Sequence, residues 1–161
     1  MNSNSNTKKK MMEWMNNDSN TLSGEDIEKW ARKVADDDNI PHYLENKNME
    51  KIQQDIVNVC IRENIMEDVL NKLMDYRYVD KTGDVIRGKH VRWIRLSKIP
   101  AISHSPLTNG GIVTDIKFLE NVTYILVKNV RNQFIQYKYD DCITFQKLSV
   151  DELLLLSIQQ T

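Results

Sequence analysis

The sequence lacks any long apolar run. The longest, at residues 153–156, consists of four leucines, whereas a membrane-spanning helix needs about 18 or more apolar residues. The N-terminus is rich in Asn, Ser and Lys and has no apolar core of the kind found in secretory signal peptides. A hydrophobic content of 40% with 28% charged residues is ordinary for a soluble globular protein. We therefore expect a soluble, intracellular protein that does not bind membranes.

Residues that carry chemistry are also scarce. Two cysteines, Cys60 and Cys142, and three histidines lie far apart in the sequence. They are too few and too dispersed for a metal site, and isolated cysteines indicate free thiols in a reducing compartment. Gly110 and Gly111 lack the Lys-Ser/Thr pair of a phosphate-binding loop, and no nucleophile and base occur at motif spacing. We predict no catalytic, cofactor-binding or metal-binding residues and no small-molecule substrate, and therefore no enzyme.

Charge is unevenly distributed along the chain, although the net charge is only −1. Residues 1–75 contain 10 Lys and Arg against 15 Asp and Glu, whereas residues 76–148 contain 12 against 6. The second segment therefore carries a net charge of +6, which indicates an anionic partner. The alternative is that the acidic first segment neutralises this charge within the same molecule.

The first 75 residues divide into a polar tail and an acidic helical region. Residues 1–22 are dominated by polar side chains and are predicted to be disordered, because they cannot bury enough apolar surface to offset their ordering entropy. In residues 23–75 apolar side chains recur at helical spacing, with Ser23 as the cap of the first helix. A restart of the pattern at Asn64 favours two helices over one long helix between residues 46 and 75. Each apolar stripe must be buried against the rest of the chain or against a partner.

Most of the β-branched and aromatic residues fall in five later runs of strand length. These runs cover residues 89–96, 112–119, 123–130, 134–139 and 143–148. Alternation within the runs predicts which side chains point inward. In the second run we expect Ile112 on the same face as Ile116 and Val113 on the other; in the third run we expect Ile125 and Val127 to point inward.

The end of the chain contains a helix signal. Ser149 and Glu152 have the spacing of a capping box, and a short apolar helix should follow at residues 153–158. Together these patterns predict an α+β protein in which N-terminal amphipathic helices precede a five-stranded antiparallel small β-barrel. Residues 76–161 would form the barrel with a closing C-terminal helix. The sequence of the irregular connection at residues 97–109 does not indicate its role.

Basic and aromatic residues alternate along the predicted strands and hairpin tips. Small barrels bind single-stranded nucleic acid by stacking bases on aromatic side chains beside a cationic groove, and they also bind peptides in aromatic-lined grooves. The alternative is that the Trp and Tyr side chains belong to the barrel core. The candidate binding residues are Arg92, Trp93, Arg95, Lys117, Tyr124, Lys128, Arg131, Tyr137 and Lys138.

The chain resembles two groups of proteins. In strand number, strand length and closing helix, residues 76–161 resemble the Tudor-like, KOW-like and Sm-like small barrels, which are SH3-like in architecture. The aromatic cage of a methyl-lysine-reading Tudor domain cannot be assigned to particular positions. The sequence segments at residues 76–79, 88–94, 107–111 and 143–148 are similar to segments of uncharacterised small proteins of large nucleocytoplasmic DNA viruses. This second resemblance implies a viral origin, and hence the host cytoplasm or the virion, but no activity.

We therefore expect a non-catalytic interaction module without cofactors, such as a viral structural or virus-factory protein. It would bind a protein partner or a second copy of itself through the barrel or through a helical face. The alternative is a nucleic-acid-binding small barrel that uses its basic and aromatic strand residues.

Overall fold

The computed structural model describes Lys29 and residues 40–65, 68–99 and 105–159. The predicted disordered tail and, apart from Lys29, the predicted helix after Ser23 lie outside the described residues. The helices with described bounds are α1 (Met49–Arg62), α2 (Asp68–Asn71) and α3 (Val150–Ile158). The strands are β1 (Tyr76–Val79), β2 (His90–Arg95), β3 (Gly111–Leu119), β4 (Val122–Lys128), β5 (Phe134–Lys138) and β6 (Cys142–Lys147). No helix in these ranges combines the length and the apolar character needed to cross a membrane.

The strands form one antiparallel sheet in the order β1-β6-β2-β3-β4-β5. All five predicted strands are present, but the sheet has six strands, so the prediction of five was wrong. The additional strand β1 pairs with β6, with Tyr78 opposite Phe145. It has only four residues, separated from α2 by the turn at residues 72–75, and so short a run carries little alternation by which its sequence could reveal a strand. Within the described residues the sheet is open, with β1 and β5 as its edges, and strand pairing does not close it into the predicted barrel.

A β-bulge in β3 changes the predicted faces of that strand. The pairing of β3 with β4 shifts between Val113 and Asp115, which leaves Thr114 as the extra residue. As a result Val113 and Ile116 both belong to the same buried cluster, whereas Ile112 is exposed. The expectation that Ile112 and Ile116 share a face was wrong, because one extra residue reverses the alternation on one side of the bulge.

Both faces of the central strands are covered. On one face α1, α2 and the following turn pack against β2 and β6, which buries the apolar helical stripes in the same unit of the chain. The members of this cluster include Ile56, Val59, Cys60, Val69, Leu73, Ile94, Ile143 and Phe145. The opposite face holds a second cluster, which includes Val79, Val91, Trp93, Val113, Ile125, Val127 and Tyr137.

The sheet curls so that β5 lies over β2. The rings of Trp93 and Tyr137 stack with centroids 4.3 Å apart and an interplanar angle of 16°, although β3 and β4 separate their strands in the sheet. The Tyr137 hydroxyl lies 3.0 Å from Thr144 Oγ1 on β6. The Tyr139 hydroxyl donates a hydrogen bond of 3.0 Å to the Val79 carbonyl on β1. Side chains, rather than a continuous strand ladder, therefore hold the two ends of the sheet together.

The described residues between positions 46 and 75 form two helices, α1 and α2, rather than one. Asn64 has a φ of 57°, a left-handed conformation that a helix interior does not accommodate. The Ile65 N–H donates back to the Cys60 carbonyl at 2.8 Å, as helix C-terminal motifs do. The break expected at Asn64 is therefore confirmed.

The chain divides into two compact units, Ile52–Lys147 and a unit of Met1–Lys51 with Leu148–Thr161. In the second of these, Ser149 and Glu152 form the predicted capping box, with both reciprocal hydrogen bonds present. The Tyr43 hydroxyl donates to Glu152 Oε2 at 2.9 Å, which ties the segment around the His42–Leu44 turn to α3. The expected position of α3 over one end of the barrel stays a prediction.

Candidate functional site

The outer face of β3, β4 and β5 carries a set of lysines and aromatic rings. Alternation along an antiparallel strand places every second side chain on this face, and here those positions are exposed or half-buried. We define the basic sheet face by five of these residues: Lys117, Tyr124, Lys128, Phe134 and Lys138. Four of the nine candidate residues from sequence thus lie together on one surface.

The centre of this face is a single row across three strands. Tyr124 pairs with Lys117 on β3 and with Lys138 on β5. Directly opposed side chains in an antiparallel sheet have Cβ atoms about 4.5–5.5 Å apart, so the half-buried Tyr124 ring has an exposed ammonium-bearing side chain on either side. The row therefore combines a flat π surface with two cations.

A second row lies at the hairpin end of the same face. Lys128 pairs with Phe134, and its Nζ lies 5.9 Å from the centroid of the Phe134 ring, within the range of a cation–π contact. The Phe134 side chain is 63% exposed. Phe134 was absent from the candidates taken from sequence, although alternation with Gln136 and Lys138 was sufficient to place it on this face.

The acidic side chain of this face has a cationic partner of its own. Asp115 pairs with Leu126 in a row between the two basic rows, and its Oδ1 accepts a hydrogen bond of 2.7 Å from Arg87 Nη2. Because this carboxylate is matched by Arg87, it does not serve as the counterion of the lysines. The face therefore keeps a positive character.

Two of the predicted binding residues belong to the core instead. Trp93 and Tyr137 are 2% and 3% exposed and stack on each other inside the curled sheet. Burial raises the pKa of Tyr137 above its usual value, while its hydrogen bond with Thr144 acts in the opposite direction. For these two residues the core alternative is correct, and neither can stack on a ligand.

The three predicted arginines lie in three different places. Arg92 is on the helix-covered side and donates hydrogen bonds to the carbonyls of Thr108 at 2.8 Å and Lys72 at 3.3 Å. Arg95 is exposed at the end of β2. Arg131 is exposed in the hairpin loop between Lys128 and Phe134, beside the second basic row. Of the three, only Arg131 lies in the hairpin that carries the Lys128–Phe134 row.

The described residues contain no candidate metal site, and their two thiols are weak nucleophiles. Within residues 40–65, 68–99 and 105–159, no three His, Cys, Asp or Glu side chains are placed to hold a metal ion. Burial raises the pKa of the Cys60 thiol, and it raises the pKa of Cys142 to about 11. Both thiols are therefore protonated at neutral pH, the less nucleophilic form.

No protein-family model, curated protein or solved structure gives a significant match to the chain.

Proposed function

We propose that the chain is a non-catalytic interaction module that binds single-stranded nucleic acid on its basic sheet face. The observation that carries this proposal is the row in which Tyr124 lies between Lys117 and Lys138. Proteins that bind single strands stack bases on aromatic rings and contact the phosphates with nearby cations. The row offers both elements on one exposed sheet surface.

Single strands fit this surface better than a duplex does. Stacking on Tyr124 and Phe134 requires unpaired bases with accessible faces. Among the described residues the face is formed by β3, β4 and β5, whereas base edges in a duplex are read by elements that enter its grooves. Arg131 in the adjoining loop would extend the phosphate contacts beyond the Lys128–Phe134 row. Sequence preference should be weak, because aromatic stacking accepts every base.

The test is fluorescence anisotropy with a 5′-fluorescein-labelled oligothymidylate of twelve nucleotides. If three lysines each neutralise one phosphate, log Kd should change with log salt concentration with a slope of about 2. Replacement of Tyr124 by Ala removes the central stacking surface and should weaken binding by about 5- to 150-fold, equivalent to about 1–3 kcal/mol.

Lys81→Ala is the matched control, because Lys81 is exposed and is not part of the basic sheet face. Its effect on affinity should be small, and circular dichroism should show that both variants remain folded. The proposal is wrong if the oligonucleotide does not bind at low salt, or if a duplex of equal length binds as tightly as the single strand.

Binding of a protein partner or a second copy is the second candidate function. It is supported by Ile61 and Met74, which are large apolar side chains with exposures of 70% and 62%, since exposed apolar surface is characteristic of interaction sites. Light scattering across a concentration series tests self-association. A monomer at all concentrations, together with pull-downs that recover no stable partner, would count against this function.

The structural class and the origin of the chain are also proposals. Assignment to the SH3-like small barrels, which include the Tudor-like, KOW-like and Sm-like domains, is supported by the curl that stacks Trp93 on Tyr137 and by the short connections between β3, β4, β5 and β6. In that class β1 would be an addition to the barrel strands. A viral origin, with a role in the virion or virus factory, rests on the sequence resemblance.

A further inference from the structure

A groove beside β5 shares only Lys138 with the basic sheet face. It has a volume of about 380 Å³ and is lined by residues 95–97, residues 136–138, Asp141 and Cys142. This volume lies within the range of ligand-binding clefts. One wall is an edge strand of the sheet, and the opposite wall is the end of β2 with the Leu96–Lys98 turn.

The hairpin register shows which backbone groups of β5 face this groove. The Asn129 N–H donates to the Gln133 carbonyl at 2.9 Å, and the Gln133 N–H donates to Asn129 Oδ1 at 2.9 Å, so these two residues occupy a hydrogen-bonded position across the hairpin. In an antiparallel ladder such pairs recur at every second residue. With the observed register, Ile135 and Tyr137 are the β5 residues bonded to β4.

Consequently Gln136, which lies between them, and Lys138, which follows Tyr137, direct their backbone groups away from β4. Gln136 presents both its N–H and its carbonyl to the open edge, and Lys138 presents its N–H. Lys138 is also the N-cap residue of the Tyr139–Asp141 turn. Gln136 and Lys138 both line the groove, so its wall holds donors and an acceptor at the spacing of a β-ladder.

The charges at the groove favour an acidic ligand. Arg95 and Lys138 are exposed, one on each wall. Within the described residues neither forms a salt bridge. Asp141 contributes a single negative charge. The net charge is therefore positive, and the exposed Leu96 side chain adds an apolar contact beside it.

We propose that an extended, acidic segment of a partner protein binds in this groove as an additional strand on β5. Its backbone would pair with Gln136 and Lys138, as in other cases of β-strand addition. A carboxylate side chain of the segment would lie between Arg95 and Lys138. Pairing of two copies through the same β5 edge would bring two positively charged grooves together, which favours an acidic peptide over another copy of the chain.

The experiment is an NMR titration of the ¹⁵N-labelled full chain with an acetylated, amidated octapeptide of alternating Val and Glu. The amide signals of Gln136, Lys138 and Arg95 should shift with half-saturation below about 1 mM, as for a weak peptide ligand. An octapeptide of alternating Val and Lys should bind at least about tenfold more weakly, because like charges would meet at the groove.

Two variants test separately how backbone pairing and how charge contribute to peptide binding. Gln136→Pro removes an N–H that the fold does not use, at an edge position where proline is tolerated, and binding of the Val–Glu peptide should be lost. Arg95→Glu should weaken binding of the Val–Glu peptide by about tenfold and strengthen binding of the Val–Lys peptide. Arg131→Glu makes the same charge change in the hairpin loop and should leave both affinities unchanged.

Several results would overturn the proposal. These are the absence of shifts at millimolar peptide, shifts confined to the basic sheet face, equal binding of the two peptides, or a concentration-dependent dimer formed through the same amides. Because Tyr124 does not line the groove, Tyr124→Ala should weaken oligonucleotide binding and leave binding of the Val–Glu peptide unchanged. The two proposals can therefore fail independently.

Discussion

Trp93 and Tyr137 are neighbours only in the folded protein. Their rings stack at 4.3 Å, although they lie on β2 and β5, which do not pair with each other. The contact brings the edge strand over the centre of the sheet. It also positions the open edge of β5 at one wall of the groove, while Phe134 and Lys138 of the same strand contribute to the basic sheet face.

Replacement of Trp93 by Ala should therefore destabilise the fold severely. A fully buried aromatic side chain replaced by Ala typically costs about 3–5 kcal/mol, because the transfer free energy is lost and a cavity remains. Urea unfolding followed by circular dichroism measures this change. Phe134→Ala removes an exposed ring and should cost less than about 1 kcal/mol. Equal unfolding midpoints for the two variants would show that the Trp93 ring is not part of the core.

Replacement of Gly110 by Ala should also destabilise the fold, for a backbone reason. Gly110 has a φ of 74°, and a Cβ atom there would lie 1.9 Å from the Val91 carbonyl oxygen. Relief of this contact must move backbone on β2, so we expect a loss of more than about 2 kcal/mol. Gly83→Ala is the matched control, since a Cβ at Gly83 meets nothing within 4 Å. If both variants unfold at the same urea concentration, the close approach at Gly110 does not constrain the fold.

Stability should fall in mild acid because of His90. Its Nδ1 lies 2.9 Å from the Tyr76 hydroxyl, and burial, together with the nearby Lys147 and Arg92 charges, lowers the pKa of His90. The folded state therefore binds fewer protons than the unfolded state once the pH falls below about 6.5. This contribution to stability is complete above that pH and is lost as the pH falls through the lowered pKa.

The measurement is the urea midpoint at pH 7.5 and at pH 5.0. His90→Phe should reduce the difference between the two midpoints, whereas the exposed His42→Gln control should retain it. An unchanged pH dependence in His90→Phe would exclude His90 as its source.

The Cys142 thiol should react slowly despite its partial exposure. Burial raises its pKa to about 11; Asp141 adds to the increase and Arg95 opposes it. At pH 8 the thiolate fraction should be about 100-fold smaller than for a thiol with the ordinary value of 9.0. Mass spectrometry after iodoacetamide treatment should show correspondingly slower modification of the folded protein than of the urea-unfolded protein, with a rate that rises up to about pH 11. A rate that levels off near pH 9 would contradict the raised pKa.

Local sequence patterns predicted much of the fold. Strand-forming runs separated by turns predicted five strands of the sheet, and the capping box at Ser149 and Glu152 predicted the start of α3. The break at Asn64 followed from a restart in the helical pattern. Each of these features depends on propensities and hydrogen bonds within a few residues, so the sequence carries them directly.

Alternation correctly predicted that Ile125 and Val127 of β4 point inward, but it did not predict the positions of the side chains of β2 and β3. Trp93 and Tyr124 are both aromatic residues that are followed by an isoleucine in a strand, yet Trp93 is buried and Tyr124 is half-buried on the outer face. Because β2 is covered on both faces, alternation cannot identify a solvent side for it. In β3, the bulge at Thr114 reversed the expected faces of Ile112 and Val113.

The sequence by itself determined the strand-forming runs, the helix caps and the concentration of positive charge in residues 76–148. Only the tertiary structure decided that Lys117, Tyr124 and Lys138 share one row and that β1 joins the sheet. It also decided that Arg92 donates hydrogen bonds to backbone carbonyls of the fold. The reason is physical: propensities act over a few residues, whereas strand register and the curl of a sheet depend on contacts between residues far apart in the chain.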